Sequence, residues 1–204
     1  MEIFFKRAVR LEYFTVGYNV LEALFSIIFG LAASSIALFG FGSDSIVESL
    51  SGIILLWRLS AYGKGEKEEE EKREKRAIKF VAVTFLLLAA YILYEAITKL
   101  INNETPSPSL PGIIIALLSL IIMPILAYYK YKTGKKINSK ALIADSKETM
   151  VCAFLSLMLF IGLGSNYFFG FWQADPITGL IIAGFLIHEG KETWEEAGEE
   201  NDDD

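Results

Sequence analysis

Apolar residues in this chain fall into six long runs, at residues 13–41, 43–62, 77–101, 110–129, 141–165 and 174–188. Short charged or loop-forming stretches separate them. Runs of about 18 or more apolar residues are long enough to cross a bilayer as helices. The pattern therefore predicts an all-α membrane protein with six transmembrane helices. Phe39-Gly40-Phe41-Gly42 predicts the turn between the first two, and the Asn- and Pro-containing stretch 102–109 the loop between the third and fourth. Pro124 predicts a kink in the fourth helix. The mixed-sign run 64–76 reads as a solvated loop or a helical extension.

Lys and Arg are distributed unevenly between the runs. Three precede the first run, six lie in 64–76 and five in 130–140, whereas the first-to-second and fifth-to-sixth connections have none. The positive-inside rule then places both termini and the two basic loops in the cytoplasm. Tyr167, Phe168, Phe169, Phe171 and Trp172 fit an aromatic belt at the outer interface. Lys6, Arg7 and Arg10 would suit a signal peptide, but the following run is too long for one and contains Glu22, so it is expected to remain as a helix.

Composition adds limits on function. The chain has 204 residues, 53% of them hydrophobic, and a formal net charge of −6. Seven acids fall in residues 195–204, so the remainder is close to neutral and offers no basic footprint for nucleic acid. The division expected is a membrane domain over 1–192 and an acidic, disordered cytoplasmic tail over 193–204. Cys152 is the single cysteine and supports no disulfide framework. There is no His-Glu-x-x-His motif, and His188 is the only histidine, so an enzyme is not expected.

Acids inside apolar runs change the picture most. Each costs roughly 2.5 to 3.5 kcal/mol at the centre of a bilayer and tends to mark an ion pathway. Glu22, Asp44, Glu48, Asp145 and Glu148 all lie within or at the edge of these runs. Asp44 and Glu48 are four apart and share a helix face, as do Asp145, Glu148 and Cys152 at offsets of three and four. Asn19, Glu22 and Ser26 line one face of the first helix. At ~1.5 Å per residue from Arg58 and Lys140, Asp44 and Glu48 lie ~21 and ~15 Å deep, and Cys152 and Glu148 ~18 and ~12 Å.

Antiparallel packing would thus bring Asp44, Glu48, Glu148 and Cys152 together, with Glu22 at a similar depth. Such a cluster needs a cation or protons to be stable. A zinc-like ion accepts carboxylate and thiolate ligands together. The alternative is interhelical hydrogen bonding by protonated acids, and for Cys152 simple apolar packing. Asn19, Glu22 and Asp145 are expected in the surroundings of the cluster, or along its pathway.

These stretches resemble a known family. Gly42-Ser43-Asp44-Ser45-Ile46-Val47-Glu48 is similar to the second-helix signature of cation diffusion facilitators, the cation efflux family. There, two acids four apart supply half of a tetrahedral metal site. Ala144-Asp145-Ser146-Lys147-Glu148-Thr149-Met150-Val151-Cys152 is similar to the fifth-helix signature. In that signature an Ala-Asp pair is followed by a His and, four residues later, an Asp; Glu148 and Cys152 take those two places here. Tyr18-Asn19-Val20-Leu21-Glu22-Ala23 and Ala174-Asp175-Pro176 extend the likeness over about residues 8 to 192.

The resemblance implies a divalent-metal exporter of the cell membrane, working by proton antiport and alternating access as a homodimer, with a cation-efflux-like bundle. Only residues 189–204 follow His188, so a compact branch without the family's C-terminal cytoplasmic domain is expected. Zinc suits the ligands best, and cadmium, cobalt, iron or manganese are the other transported ions considered. A metal-binding partner or sensor subunit that does not itself transport is the competing expectation.

Overall fold

Backbone polar groups inside a bilayer have no water to pair with, so a spanning segment must satisfy them within a helix or a closed barrel. A computed structural model of the chain describes residues 2–61 and 67–199. It contains six helices: α1 (Glu2–Ala33), α2 (Ile36–Ala61), α3 (Lys67–Asn102), α4 (Leu110–Ile137), α5 (Lys140–Phe169) and α6 (Ala174–Glu199). No strand occurs among the described residues. α1 to α5 are each long and apolar enough to cross a membrane. α6 carries the shortest of the six apolar runs and lies along α3 and against α2. α1 pairs closely with α2, and α4 with α5.

Phe41, Ile92, Met123, Leu155, Leu159 and Leu186 form part of one continuous core between the helices. Leu24, Ile28, Leu87, Ile114, Ile121 and Ile161 point outward and are exposed, as the lipid-facing side of a membrane bundle requires. Tyr167, Phe168, Phe169 and Phe171 are exposed at the end of α5. Toward the end of α4 the ammonium groups of Lys132 and Lys135 lie over the rings of Tyr128 and Tyr131. The 30 residues of α5 amount to ~45 Å, the thickness of a bilayer with its headgroups. The molecule is a multi-pass helical membrane protein.

Several boundaries differ from the expectation. The first turn is at Ser34-Ser35, and Phe39-Gly40-Phe41-Gly42 lies inside α2. Ser34 adopts a left-handed backbone (φ 52°). The Ser35 hydroxyl accepts from Leu38 N at 3.1 Å in the manner of a helix N-cap. Lys99 on α3 donates to the Ser34 carbonyl at 2.9 Å. Asp175 on α6 accepts from the Ser35 hydroxyl and from Ile36 N, the latter at 3.0 Å. Partners from other helices complete a turn that neither Gly nor Pro announces. Gly42 instead allows close approach of α1 and α2.

The basic stretch after the fourth run is largely helical. α4 continues past Pro124 to Ile137 and closes on Asn138 in the left-handed conformation (φ 54°). The charge run is helical from Lys67, while residues 62–66 lie outside the described residues. The acidic tail expected to be disordered continues α6 as a helix to Glu199; residues 200–204 lie outside the described residues.

Asp175 is fully buried and satisfies the otherwise orphaned first donor of α2. Asp175→Ala is expected to destabilise the bundle by about 1–3 kcal/mol, the cost of a buried donor left unpaired. Thermal unfolding in detergent measures this; an unchanged midpoint would show that the turn is held by Lys99 and Ser35 alone.

Candidate metal centre

α2 places Asp44 and Glu48 one turn apart on the face turned toward α5, and α5 presents Cys152 opposite them. One carboxylate oxygen from each acid and the Cys152 sulfur all lie within 4.8 Å of one another. Asp44 and Cys152 are buried, 5% and 1% exposed, and Glu48 is half-buried between them. Theirs is the one group of three or more His, Cys, Asp and Glu residues among the described residues with donor atoms this close. The adjoining cavity is about 10 Å³, room for a single water-sized particle. A hydrated cation would have to shed water to enter.

Glu148 lines the same cavity, with Phe85, Val151, Leu155, Phe185 and Glu189. It is not among the three donors within 4.8 Å of one another, and it also borders a second cavity of about 240 Å³. That larger space is lined by Lys147, His188, Glu192 and Thr193 among others. Glu148, Val151, Phe185 and Glu189 border both. The arrangement is a polar vestibule between α5 and α6 leading to a narrow inner site.

The three residues expected around the site have different placements. Asn19 is buried and donates through Nδ2 to Glu48 Oε2 at 3.0 Å, orienting that carboxylate; its own Oδ1 has no hydrogen-bond partner. Glu22 belongs to a separate network. It accepts from Ser45 on α2 at 2.8 Å and from Ser119 on α4. Because the Ser119 proton is spent on Glu22, Tyr18 donates to Ser119, at 3.1 Å. Glu22 thus ties α1, α2 and α4 together and does not line the inner cavity. Asp145 turns to Lys130, 2.6 Å away, and is absent from the residues lining either cavity.

Glu12, Lys130 and Glu189 are polar participants that the apolar runs did not disclose. Glu12 and Lys130 each lie one residue beyond the end of an apolar run, yet both are fully buried. Their signal was periodicity. Glu12, Thr15, Asn19, Glu22 and Ser26 follow spacings of three and four and are all buried, a polar stripe along α1. Ser119, Met123, Leu126, Lys130 and Thr133 do the same on α4. On α6, Ile182 and Leu186 continue at Glu189.

A multi-helix membrane protein with oxygen and sulfur donors converging at its centre is the class of molecule this fold defines. The chain belongs to the cation efflux family: residues 13–199 match its transmembrane domain. It is 30% identical over 179 residues to the manganese efflux system protein MneP of Bacillus subtilis, covering 83% of this chain and 60% of that one. It is 28% identical over 169 residues to an uncharacterized transporter of Methanocaldococcus jannaschii, covering 81% and 59%. It is 25% identical over 188 residues to transmembrane protein 163 of Xenopus laevis, covering 91% and 65%. The chain thus spans about three-fifths of the length of these curated relatives.

Proposed function

We propose that the protein exports a divalent, zinc-like metal ion from the cytoplasm in exchange for protons, by alternating access around Asp44, Glu48 and Cys152. The convergence of these three donors at the inner end of a polar vestibule carries the reading. Two carboxylates and a thiolate supply three ligands of the tetrahedral set that zinc prefers, leaving one position for Glu148 or water. The same groups must lose protons to bind metal and regain them when it leaves, which links ion and proton movement. Glu148, at the junction of the two cavities, suits the role of passing the ion between vestibule and site. Positive charge in the connecting segments supports cytoplasmic termini and a vestibule that faces the cytoplasm. The family resemblance supports a homodimer formed through the membrane helices.

The thiolate argues for zinc or cadmium over manganese, which prefers oxygen donors. Proteoliposomes loaded with a pH-sensitive dye should take up zinc with opposite proton movement. Cys152→Asp, which makes the set all-oxygen, should shift the zinc-to-manganese preference toward manganese by about tenfold, or ~1.4 kcal/mol. Metal binding without flux would instead make the protein a binding or sensing subunit. An unchanged preference in Cys152→Asp would remove the sulfur from the ligand set.

A further inference from the structure

Outside the three converging donors, one lysine is enclosed completely within the bundle. Lys130 Nζ lies 3.2 Å from each carboxylate oxygen of Glu12, 2.6 Å from Asp145 Oδ2 and 3.3 Å from Thr149 Oγ1. Four oxygens from α1 and α5 therefore surround one nitrogen from α4. Lys130 and Glu12 are 0% exposed and Asp145 14%. Glu12 Oε1, though near the ammonium, has no hydrogen-bond partner. Asp145 and Thr149 flank the turn of α5 that carries Glu148.

We propose that Glu12, Asp145 and Thr149 form a second cation site of hard, oxygen-only character, which the chain keeps filled with its own Lys130 ammonium. The tethered charge stands where a free ion would otherwise sit. Two carboxylates, once both are ionised, exceed one ammonium in charge, and Glu12 Oε1 accepts no hydrogen bond, so the cage has the capacity for a divalent ion. Its donors are the kind calcium takes, by contrast with the thiol-containing centre. Calcium–oxygen distances of about 2.3–2.6 Å require the Glu12 and Thr149 oxygens to move inward by about 0.6–1.0 Å, while Asp145 is already close to that range. With Lys130 in place, the cage is closed to metal and holds the α5 turn bearing Glu148 against α1 and α4.

The test measures bound calcium on purified full-length protein by equilibrium dialysis and elemental analysis. It is run in an Asp44→Asn, Glu48→Gln background, so its outcome is independent of the proposed transport site. That background is expected to bind almost no calcium. Adding Lys130→Ala should create about one site per chain, and adding Glu12→Gln and Asp145→Asn should remove it. Lys130→Arg, which retains the tethered charge, should bind none. Should Lys130→Ala unfold in chelator, millimolar calcium is expected to restore its folded, monodisperse form. Folded Lys130→Ala protein that binds no calcium, or loss of fold that calcium does not repair, overturns the proposal.

Discussion

Metal affinity is expected to fall at least ~100-fold, or ~2.7 kcal/mol, when Asp44→Asn and Glu48→Gln are combined. Changes to groups that merely orient ligands cost about 10–100-fold. Loss of two of three converging donors should exceed that range, since Asn and Gln bring no negative charge to the ion. Both substitutions preserve shape, and Asn19 can still hydrogen-bond to a carboxamide at position 48, so the bundle should remain folded. Titration calorimetry with zinc on the purified protein measures the effect.

Glu22→Gln supplies the contrast. Both oxygens of Glu22 are committed to Ser45 and Ser119. Its substitution should therefore lower stability by about 1–3 kcal/mol while leaving affinity within a few-fold. In the native protein, affinity should decline as pH falls, because metal and protons compete for the same oxygens and sulfur. Equal affinity in Asp44→Asn, Glu48→Gln and in native protein would place the metal elsewhere.

Gly42→Leu is expected to damage the packing of α1 against α2. A Cβ at position 42 would sit 2.7 Å from Ser26 Cβ and 3.0 Å from both Ile27 Cγ1 and the Ile27 backbone nitrogen. Side chains can turn aside, but the backbone nitrogen of α1 cannot. The helices must separate, at a cost of about 1–3 kcal/mol or more. Asp44 lies two residues further along α2, so zinc affinity should weaken too, by about tenfold. Gly17 is the control, with nothing within 4 Å of an added Cβ. Gly17→Ala should be neutral or stabilise by up to about 1 kcal/mol through helix propensity. Unfolding midpoints in detergent, measured alongside zinc titrations, separate the two positions. If Gly42→Leu melted like Gly17→Ala, close contact between α1 and α2 would not matter.

The difference between Gly42 and Gly17 shows what a local reading of the chain can reach. Phe39-Gly40-Phe41-Gly42 has the composition of a turn, and local chemistry predicts one there. The break occurs at Ser34-Ser35 because Lys99 and Asp175, remote in sequence, satisfy its exposed backbone groups. Lys130 presents the same problem. Next to four further lysines in residues 130–140 it reads as part of a basic loop, whereas α4 carries it inward to Glu12 and Asp145. Periodicity along α1 and α4 contained that information, but an apolar run has ends that are defined by averages. A single buried charge just beyond such an end does not alter the average.

The candidate metal centre divides along the same line. Asp44 and Glu48 share a face because helical periodicity requires it, and their cost in a bilayer marks them from sequence alone. Depth arithmetic also brought Cys152 to their level, and the three donors converge in the fold. Depth could not distinguish Glu148, at the junction of two cavities, from a residue inside the cluster. Nor could it separate Asn19, which holds Glu48, from Glu22, which holds serines on two other helices. Hydrophobic runs, the helical repeat and the expense of buried charge act within a segment, so the sequence by itself determined the membrane helices and the acidic face of α2. Rotation of each helix about its axis, and the partner each polar group meets, depend on packing between segments, so only the tertiary structure decided the Ser34-Ser35 turn, the Lys130 cage and the position of Glu148 at the junction of two cavities.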